Sequence, residues 1–153
     1  MDAITLLKND HDELKKHLED GEETTARAVK ARAEILDTVA TLLTAHERIE
    51  EDIFYPALKE HPKAKDIVLE GYQEHHVVDL IMGELKDTVE NDEIWGAKFK
   101  VLKENIEHHI EEEEGEMFKA ARSVFSQEEL DDLGQRMEDL KNETLTASLT
   151  SHR

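Results

Sequence analysis

The chain has 153 residues, and its 38 acidic residues outnumber its 19 lysines and arginines, which gives a formal net charge of -19. This charge disfavours nucleic acid and anionic membrane surfaces as partners and favours cations. Cysteine is absent, which excludes disulfides and thiolate metal sites and leaves imidazole and carboxylate as the expected ligands. The sequence shows neither a secretory signal nor a long apolar run, so we expect a cytoplasmic protein without a membrane partner.

An all-α fold is predicted from apolar residues at three-four spacing, 37% charged residues, and only 6 glycines and 2 prolines. The first helix is predicted over about residues 2–21, with Asp2 as its N-cap. The second is predicted over about residues 25–60, and Pro56 is expected to kink it or disturb its last turns.

The third and fourth helices are predicted from two further apolar stripes, after the break at His61-Pro62 and the turn at 90–92. The predicted apolar face of the third helix is Val77, Val78, Ile81, Met82, Leu85 and Val89. The predicted inner face of the fourth is Trp95, Phe99, Leu102, Ile106, His109, Glu113 and Met117. The stripes together predict an antiparallel bundle of four helices.

A short fifth helix is predicted from the capping box between Ser126 and Glu129. Its apolar stripe is Leu130, Leu133, Met137 and Leu140. We therefore expect a bundle over residues 1–122, a C-terminal helix packed on it over residues 123–142, and a flexible tail over residues 143–153.

The second helix carries His46 and Glu50 one turn apart, and at about 100° per residue Glu50 and the apolar residues of the stripe fall within roughly 40° of His46. A buried carboxylate without a partner costs several kcal/mol, so a cation should meet Glu50. The pattern recurs as His109 and Glu113 on the fourth helix. If the two helices face each other, these residues can bind a pair of metal ions between them. In the metal-free protein the two buried carboxylates would lie close together, so at least one of them should take up a proton.

Two further histidines lie near apolar stripes, His11 on the first helix and His75 on the third. A single histidine in such a place is more often a hydrogen-bonded core residue than a ligand, so each depends on the paired pattern for support. His76 and His108 point away from their stripes. The acidic residues expected on the solvated face are Glu51, Asp52, Glu111, Glu112 and Glu114.

Three other metal sites are disfavoured. The sequence from His46 begins like the zincin motif, but Glu50 stands where the second histidine should be. A ferritin-like site needs Glu-x-x-His pairs, and no histidine here has glutamate three positions before it. A calcium-binding Asp-x-Asp-x-Asp-Gly loop is also absent from the sequence.

Several motifs together resemble the hemerythrin-like, or HHE cation-binding, family over about residues 3–121. They are Asp10-His11, His46-x-x-x-Glu50-Glu51 followed by Phe54-Tyr55-Pro56, Glu74-His75, and His109-x-x-x-Glu113-Glu114. The resemblance implies an up-down-up-down four-helix bundle around two iron ions bridged by an oxo or hydroxo group and two carboxylates. It implies terminal imidazole ligands at His11, His46, His75 and His109, and bridging carboxylates at Glu50 and Glu113.

The chain departs from the oxygen-carrying members at Gly71, where they have a further histidine. Glu47, Glu74, Tyr55 as a phenolate, or water are the alternatives for the missing ligand. The departure weakens the case for reversible oxygen carriage and leaves room for redox turnover.

Three functions are consistent with these features. The first is a di-iron protein that binds O2, peroxide or NO in the handling of oxygen, iron or oxidative stress. The second is an enzyme that disproportionates hydrogen peroxide, for which the sequence specifies no catalytic residue. The third is an interaction module with a degenerate site. We expect a monomer or a weak homo-oligomer.

Overall fold

The computed structural model describes the backbone of residues 1–151 and the side chains of residues 1–148. The helices are α1 (Ala3–Glu22), α2 (Val29–Ile49), α3 (Tyr55–Lys59), α4 (Lys65–Lys86), α5 (Glu93–Glu112), α6 (Phe118–Val124) and α7 (Gln127–Ser151). Two π-helical turns, Glu50–Phe54 and Glu113–Met117, join α2 to α3 and α5 to α6. The predicted all-α class is confirmed, since the described residues contain no strand.

Four rods form the bundle: α1, α2 with α3, α4, and α5 with α6. The first rod packs against both its sequence neighbour and the fourth rod, as expected for a closed four-helix bundle. The predicted cap at Asp2 is confirmed, because its side chain accepts a hydrogen bond from the N–H of Thr5 (2.8 Å). Asp92 caps α5 in the same way by accepting from the N–H of Ile94 (2.9 Å). None of the described helices is long and apolar enough to span a bilayer.

The core consists of two hydrophobic clusters separated by a polar layer. On α1, for example, Leu7 belongs to one cluster and Leu14 to the other, with the buried His11 between them. The other three rods show the same order, so every rod presents its buried imidazole between the clusters. The two clusters therefore enclose the candidate site from both ends of the bundle.

The π-helical turns decide which side chains follow the two glutamates on the inner face. The N–H of Tyr55 bonds to the carbonyl of Glu50, and that of Phe118 to the carbonyl of Glu113, each five residues back. In an α-helix a residue five positions on lies about 140° around the axis. The wider π turn moves Tyr55 and Phe118 back towards the face of their glutamates. The first turn lies just before Pro56, where a disturbance is predicted, but the second turn contains no proline, so proline is not required for it.

The third rod departs in part from its predicted apolar face. Val78, Met82 and Leu85 are buried, but Val77 and Val89 are exposed. α4 ends at Lys86, so Val89 falls in the following loop rather than on the helix. The second rod also begins later than predicted, at Val29.

The predicted fifth helix exists, but it is not short: α7 has 25 residues and is the longest helix described. The helix continues past the predicted end at Asn142 and through the predicted tail from residue 143 as far as Ser151, and residues 152–153 lie outside the described part. The capping box at Ser126 is confirmed, because its Oγ accepts from the N–H of Glu129 (3.1 Å). α7 packs on both α1 and α2, and these contacts support helix beyond the predicted stripe.

Candidate metal centre

The two predicted bridging carboxylates each face imidazoles from different helices. Oε1 of Glu50 lies 3.2 Å from Nε2 of His46 and 3.0 Å from Nε2 of His75. Glu113 uses both oxygens, with Oε1 3.0 Å from Nε2 of His11 and Oε2 3.1 Å from Nε2 of His109. The structure therefore brings together six of the seven predicted site residues, one or two from each rod.

These six residues form two groups that share Glu50. The first group is His11, His46, Glu50 and Glu113, and the second is Glu50, His75 and His109. We call them the first and the second metal position. In each group one ligand atom per residue lies within 4.8 Å of the others, close enough for a single ion to contact them all.

Each of the four imidazoles contacts an acidic side chain through its Nδ1 atom, on the side away from the centre. The Nδ1 contacts are His11 with Glu114 (2.7 Å), His46 with Asp10 (2.9 Å), His75 with Glu51 (2.8 Å) and His109 with Glu74 (2.6 Å). A carboxylate at Nδ1 fixes the ring and leaves Nε2 to bind metal. Sequence reasoning missed this role for Glu51 and Glu114, which it placed on the solvated face. The sequence signal for this role was the Glu-Glu pair that ends both motifs, Glu50-Glu51 and Glu113-Glu114.

Tyr55 occupies the space that the missing histidine at Gly71 leaves. A Cβ at Gly71 would lie 2.9 Å from the Tyr55 hydroxyl. The hydroxyl donates to Oε2 of Glu113 (2.8 Å) and lies 3.4 Å from Nε2 of both His75 and His109. Among the four alternatives, Tyr55 is therefore the residue that the fold brings to the second metal position.

Glu47, predicted as a further ligand, is not brought into either group. Its side chain is buried, its Oε2 has no hydrogen-bond partner, and burial followed by the neighbouring Asp79 carboxyl raises the pKa of Glu47 to about 9. Glu74 also lies outside both positions, because it bonds to Nδ1 of His109 and groups instead with the outward-facing His108 and Glu112. Glu47 faces Asp79 on α4 rather than the centre of the bundle.

Comparison with known proteins agrees with this geometry. The family model of the hemerythrin HHE cation binding domain matches residues 2–121. The chain belongs to this family. Its structure is also similar to the crystal structure of a hemerythrin HHE cation binding domain-containing protein from Mycobacterium kansasii, with a TM-score of 0.85, 26% sequence identity, and coverage of 98% of this chain and 91% of that one. A search of curated proteins found no match.

The centre of this HHE domain fits bound metal. Nε2 of His46 and Oε2 of Glu50 are buried without a hydrogen-bond partner, although the imidazole is within ion-pair distance of the other carboxylate oxygen. A buried polar atom without a partner costs about 1–3 kcal/mol, and a cation between them would satisfy both. Nitrogen and oxygen donors without sulfur suit iron or manganese better than a structural zinc.

In the metal-free protein, protons on the imidazoles balance the carboxylates. Burial disfavours the charged rings, but the charge of Glu50 and the bond to Asp10 outweigh it and raise the pKa of His46 well above its usual range. Bonds to Glu50 and Glu51 likewise outweigh burial and raise the pKa of His75 to about 9. Burial opposes ionisation of Glu50, yet the nearby imidazolium of His46 holds its pKa well below the usual range. Glu50 is therefore not the carboxylate expected to be protonated without metal.

The other predicted histidines lie where the helical count put them. His76 is exposed on α4, and His108 is exposed on α5, where it contacts Glu112 at 3.1 Å. Neither faces the centre. His76 and His108 therefore provide control positions on the same helices as His75 and His109.

Proposed function

We propose that this HHE domain holds two iron ions, one at each metal position, and that the pair binds O2 or a related small molecule such as peroxide or NO. The observation that supports this proposal is the sharing of carboxylates. Glu50 faces imidazoles of both positions with one oxygen, and Glu113 faces them with different oxygens. Such sharing favours two ions over one.

The residues of the chain supply the frame for this chemistry. A pair of iron ions would supply open coordination positions and electrons for a small oxidant. The four imidazoles and two carboxylates hold the ions, and their outer carboxylates fix the rings. The two hydrophobic clusters limit access of water from the ends of the bundle. The small molecule would therefore bind in a polar layer that has an apolar cluster on each side.

Tyr55 favours a second candidate, the disproportionation of two hydrogen peroxide molecules to O2 and two water molecules. Burial and the charges of Glu50 and Glu113 raise the pKa of Tyr55 well above its ordinary value, so the metal-free residue is a phenol. Its hydroxyl lies beside the second metal position and can hold a proton or a hydrogen bond there. An imidazole ligand in that place could not donate in this way once bound through Nε2.

Metal analysis with optical spectroscopy tests the proposal. We expect about two irons per chain after expression in iron-replete medium, and a spectrum that changes on adding O2, peroxide or NO. Stoichiometric zinc without iron, or an iron spectrum unaffected by all three molecules, would contradict it. The oxygen electrode separates the candidates, because sustained O2 evolution from peroxide supports the enzyme and its absence supports binding. Tyr55→Phe, which removes only the hydroxyl, tests whether that group takes part in the reaction.

The proposal extends to the location, oligomeric state and partners of the protein. We propose a cytoplasmic protein, monomeric or weakly associated, that uses only the small molecule and the metal as ligands. The net charge of -19 supports the absence of nucleic acid as a partner. Light scattering of the metal-loaded protein measures the oligomeric state directly.

A further inference from the structure

The C-terminal helix α7 lies beyond the part of the chain that the family model matches, yet it runs in fixed register along α1. At Gly134, a Cβ would lie 2.3 Å from the carbonyl oxygen of Met1 and 2.8 Å from the backbone nitrogen of Ala3. Only a residue without a Cβ allows this approach. Lys141 follows Gly134 by seven residues, and Asp10 follows Ala3 by the same number, so the register places Lys141 beside Asp10.

Lys141 reaches the metal centre through Asp10. Its Nζ lies 2.5 Å from Oδ1 of Asp10, and Oδ2 of the same carboxylate lies 2.9 Å from Nδ1 of His46. The other ring nitrogen of His46 faces Glu50 at the first metal position. A continuous chain of contacts therefore runs from α7 to the first metal position.

This arrangement distinguishes Asp10 from the other three outer carboxylates. The Asp10 side chain is 6% exposed, whereas Glu114 is 30%, Glu51 37% and Glu74 21% exposed. Within the described residues, these three glutamates have no lysine or arginine at ion-pair distance. The Lys141 side chain is 23% exposed, but its charge meets a carboxylate that is nearly buried, so solvent screens the ion pair only in part, and the pair acts on one metal position.

We propose that Lys141 is a positioning residue of the metal centre, which fixes Asp10 against His46 and makes the first metal position the more easily reduced of the two. A carboxylate at Nδ1 makes an imidazole a stronger donor, which stabilises the ferric ion. A cation on the other carboxylate oxygen withdraws negative charge from the imidazole and opposes that effect. The redox part of this inference rests on the proposed di-iron function.

Redox titration of the iron-loaded protein tests the inference, with Lys141→Met as the central variant. Methionine keeps an unbranched stem and removes the charge. We expect one of the two midpoint potentials to fall, because the preference of that ion for the ferric state rises about tenfold, which is about 59 mV for a one-electron couple. Lys141→Arg, which keeps the charge, should restore the potential.

Arg136→Met is the matched control, because Arg136 is exposed on the same helix and the substitution removes the same charge. Both potentials should stay at the wild-type values, since solvent screens a charge at the surface. Unchanged potentials in Lys141→Met, or an equal fall in Arg136→Met, would overturn the inference.

Cobalt(II) separates failure of the inference from failure of the proposed function. If the protein holds no redox-active iron pair, the proposed function fails, and cobalt spectra then test Lys141 alone. The d–d absorption of one of two bound cobalt ions should change in Lys141→Met and not in Arg136→Met. Identical cobalt spectra in the three proteins would overturn the role of Lys141, and a wild type that binds no cobalt would overturn both proposals.

Discussion

The two metal positions are built from the same ligand types but have different surroundings. The first, with His11 and His46, is covered by α7, whose Lys141 reaches Asp10, and by Phe118, which stacks on His11 with ring centroids 6.0 Å apart. The second, with His75 and His109, is supported by partly exposed Glu51 and Glu74.

The difference between the positions shows how a repeated motif can acquire two roles. Both π-helical turns return the residue after the turn to the inner face, but that residue is Tyr55 in one rod and Phe118 in the other. Tyr55 places a hydroxyl beside the second position, whereas Phe118 places an apolar ring beside the first. We expect the first position to be the structural partner and the second to be the one that meets the small molecule.

The largest effect is expected from the residue that the two positions share. Glu50→Gln should lose both ions, with an affinity fall of more than about 100-fold, because the amide cannot supply the charge that balances two cations. Metal analysis after desalting measures this loss. His76→Ala and His108→Ala are the controls and should retain both ions. A Glu50→Gln protein with two tightly bound ions would show that the positions do not depend on a shared carboxylate.

Removing one histidine should empty one metal position and leave the other occupied. His46→Ala should lose the ion at the first position and His75→Ala the ion at the second, each leaving about one ion per chain. Optical spectra of the cobalt-loaded variants should therefore differ from each other, and their sum should resemble the wild-type spectrum. If either variant retains both ions, that histidine is not a ligand, and if both lose both ions, the positions fill only together.

Protonation provides a third comparison, between the metal-free and the metal-loaded protein. The folded-state pKa of His75 is raised from 6.5 to about 9. The protonated ring therefore stabilises the folded protein fully below about pH 6.5, and this contribution is lost as pH rises through 9. This amounts to roughly 3 kcal/mol. Denaturant unfolding of the metal-free protein should therefore show falling stability over this range, and His75→Gln should fall less.

Metal binding should reverse that pH dependence. Ions displace the imidazole protons, so metal affinity rises with pH, and the loaded protein should keep its stability where the metal-free one loses it. Denaturation curves of metal-free wild type that do not change between pH 6.5 and 9 would contradict the assignment of protons to the imidazoles.

A smaller effect is expected at the residue that differs between the two rods. Tyr55→Phe removes a hydrogen bond to the Glu113 carboxylate, which should destabilise the metal-free protein by about 1.5–3 kcal/mol. Both ions should remain, and only spectral features of the second position should change. Gly71→Ala provides a companion variant, because its Cβ would displace the hydroxyl while leaving the phenol present. A change confined to the first position would contradict the placement of Tyr55.

Much of the fold and of the centre was predictable because it depends on local periodicity. Helical stripes on α1 and α5 placed His11, His109 and Glu113 inside the bundle, and these residues are buried. The repeat of His-x-x-x-Glu on two stripes identified Glu50 and Glu113 as the two carboxylates that face the centre. One turn of an α-helix fixes this geometry within each rod, so no knowledge of the packing was needed.

Tertiary structure decided what an angular count within one helix could not. The π-helical turn after Glu50 brings Tyr55 to the centre, and uniform rotation at 100° per residue predicts the opposite face. Glu47 meets Asp79 on another rod, and Glu51 meets His75, because carboxylate partners depend on which helices are neighbours. The sequence by itself determined the helices, the bundle and the six inward imidazole and carboxylate side chains. Packing between helices decided the outer carboxylates, the place of Tyr55 and the contact of α7, since each joins residues distant along the chain.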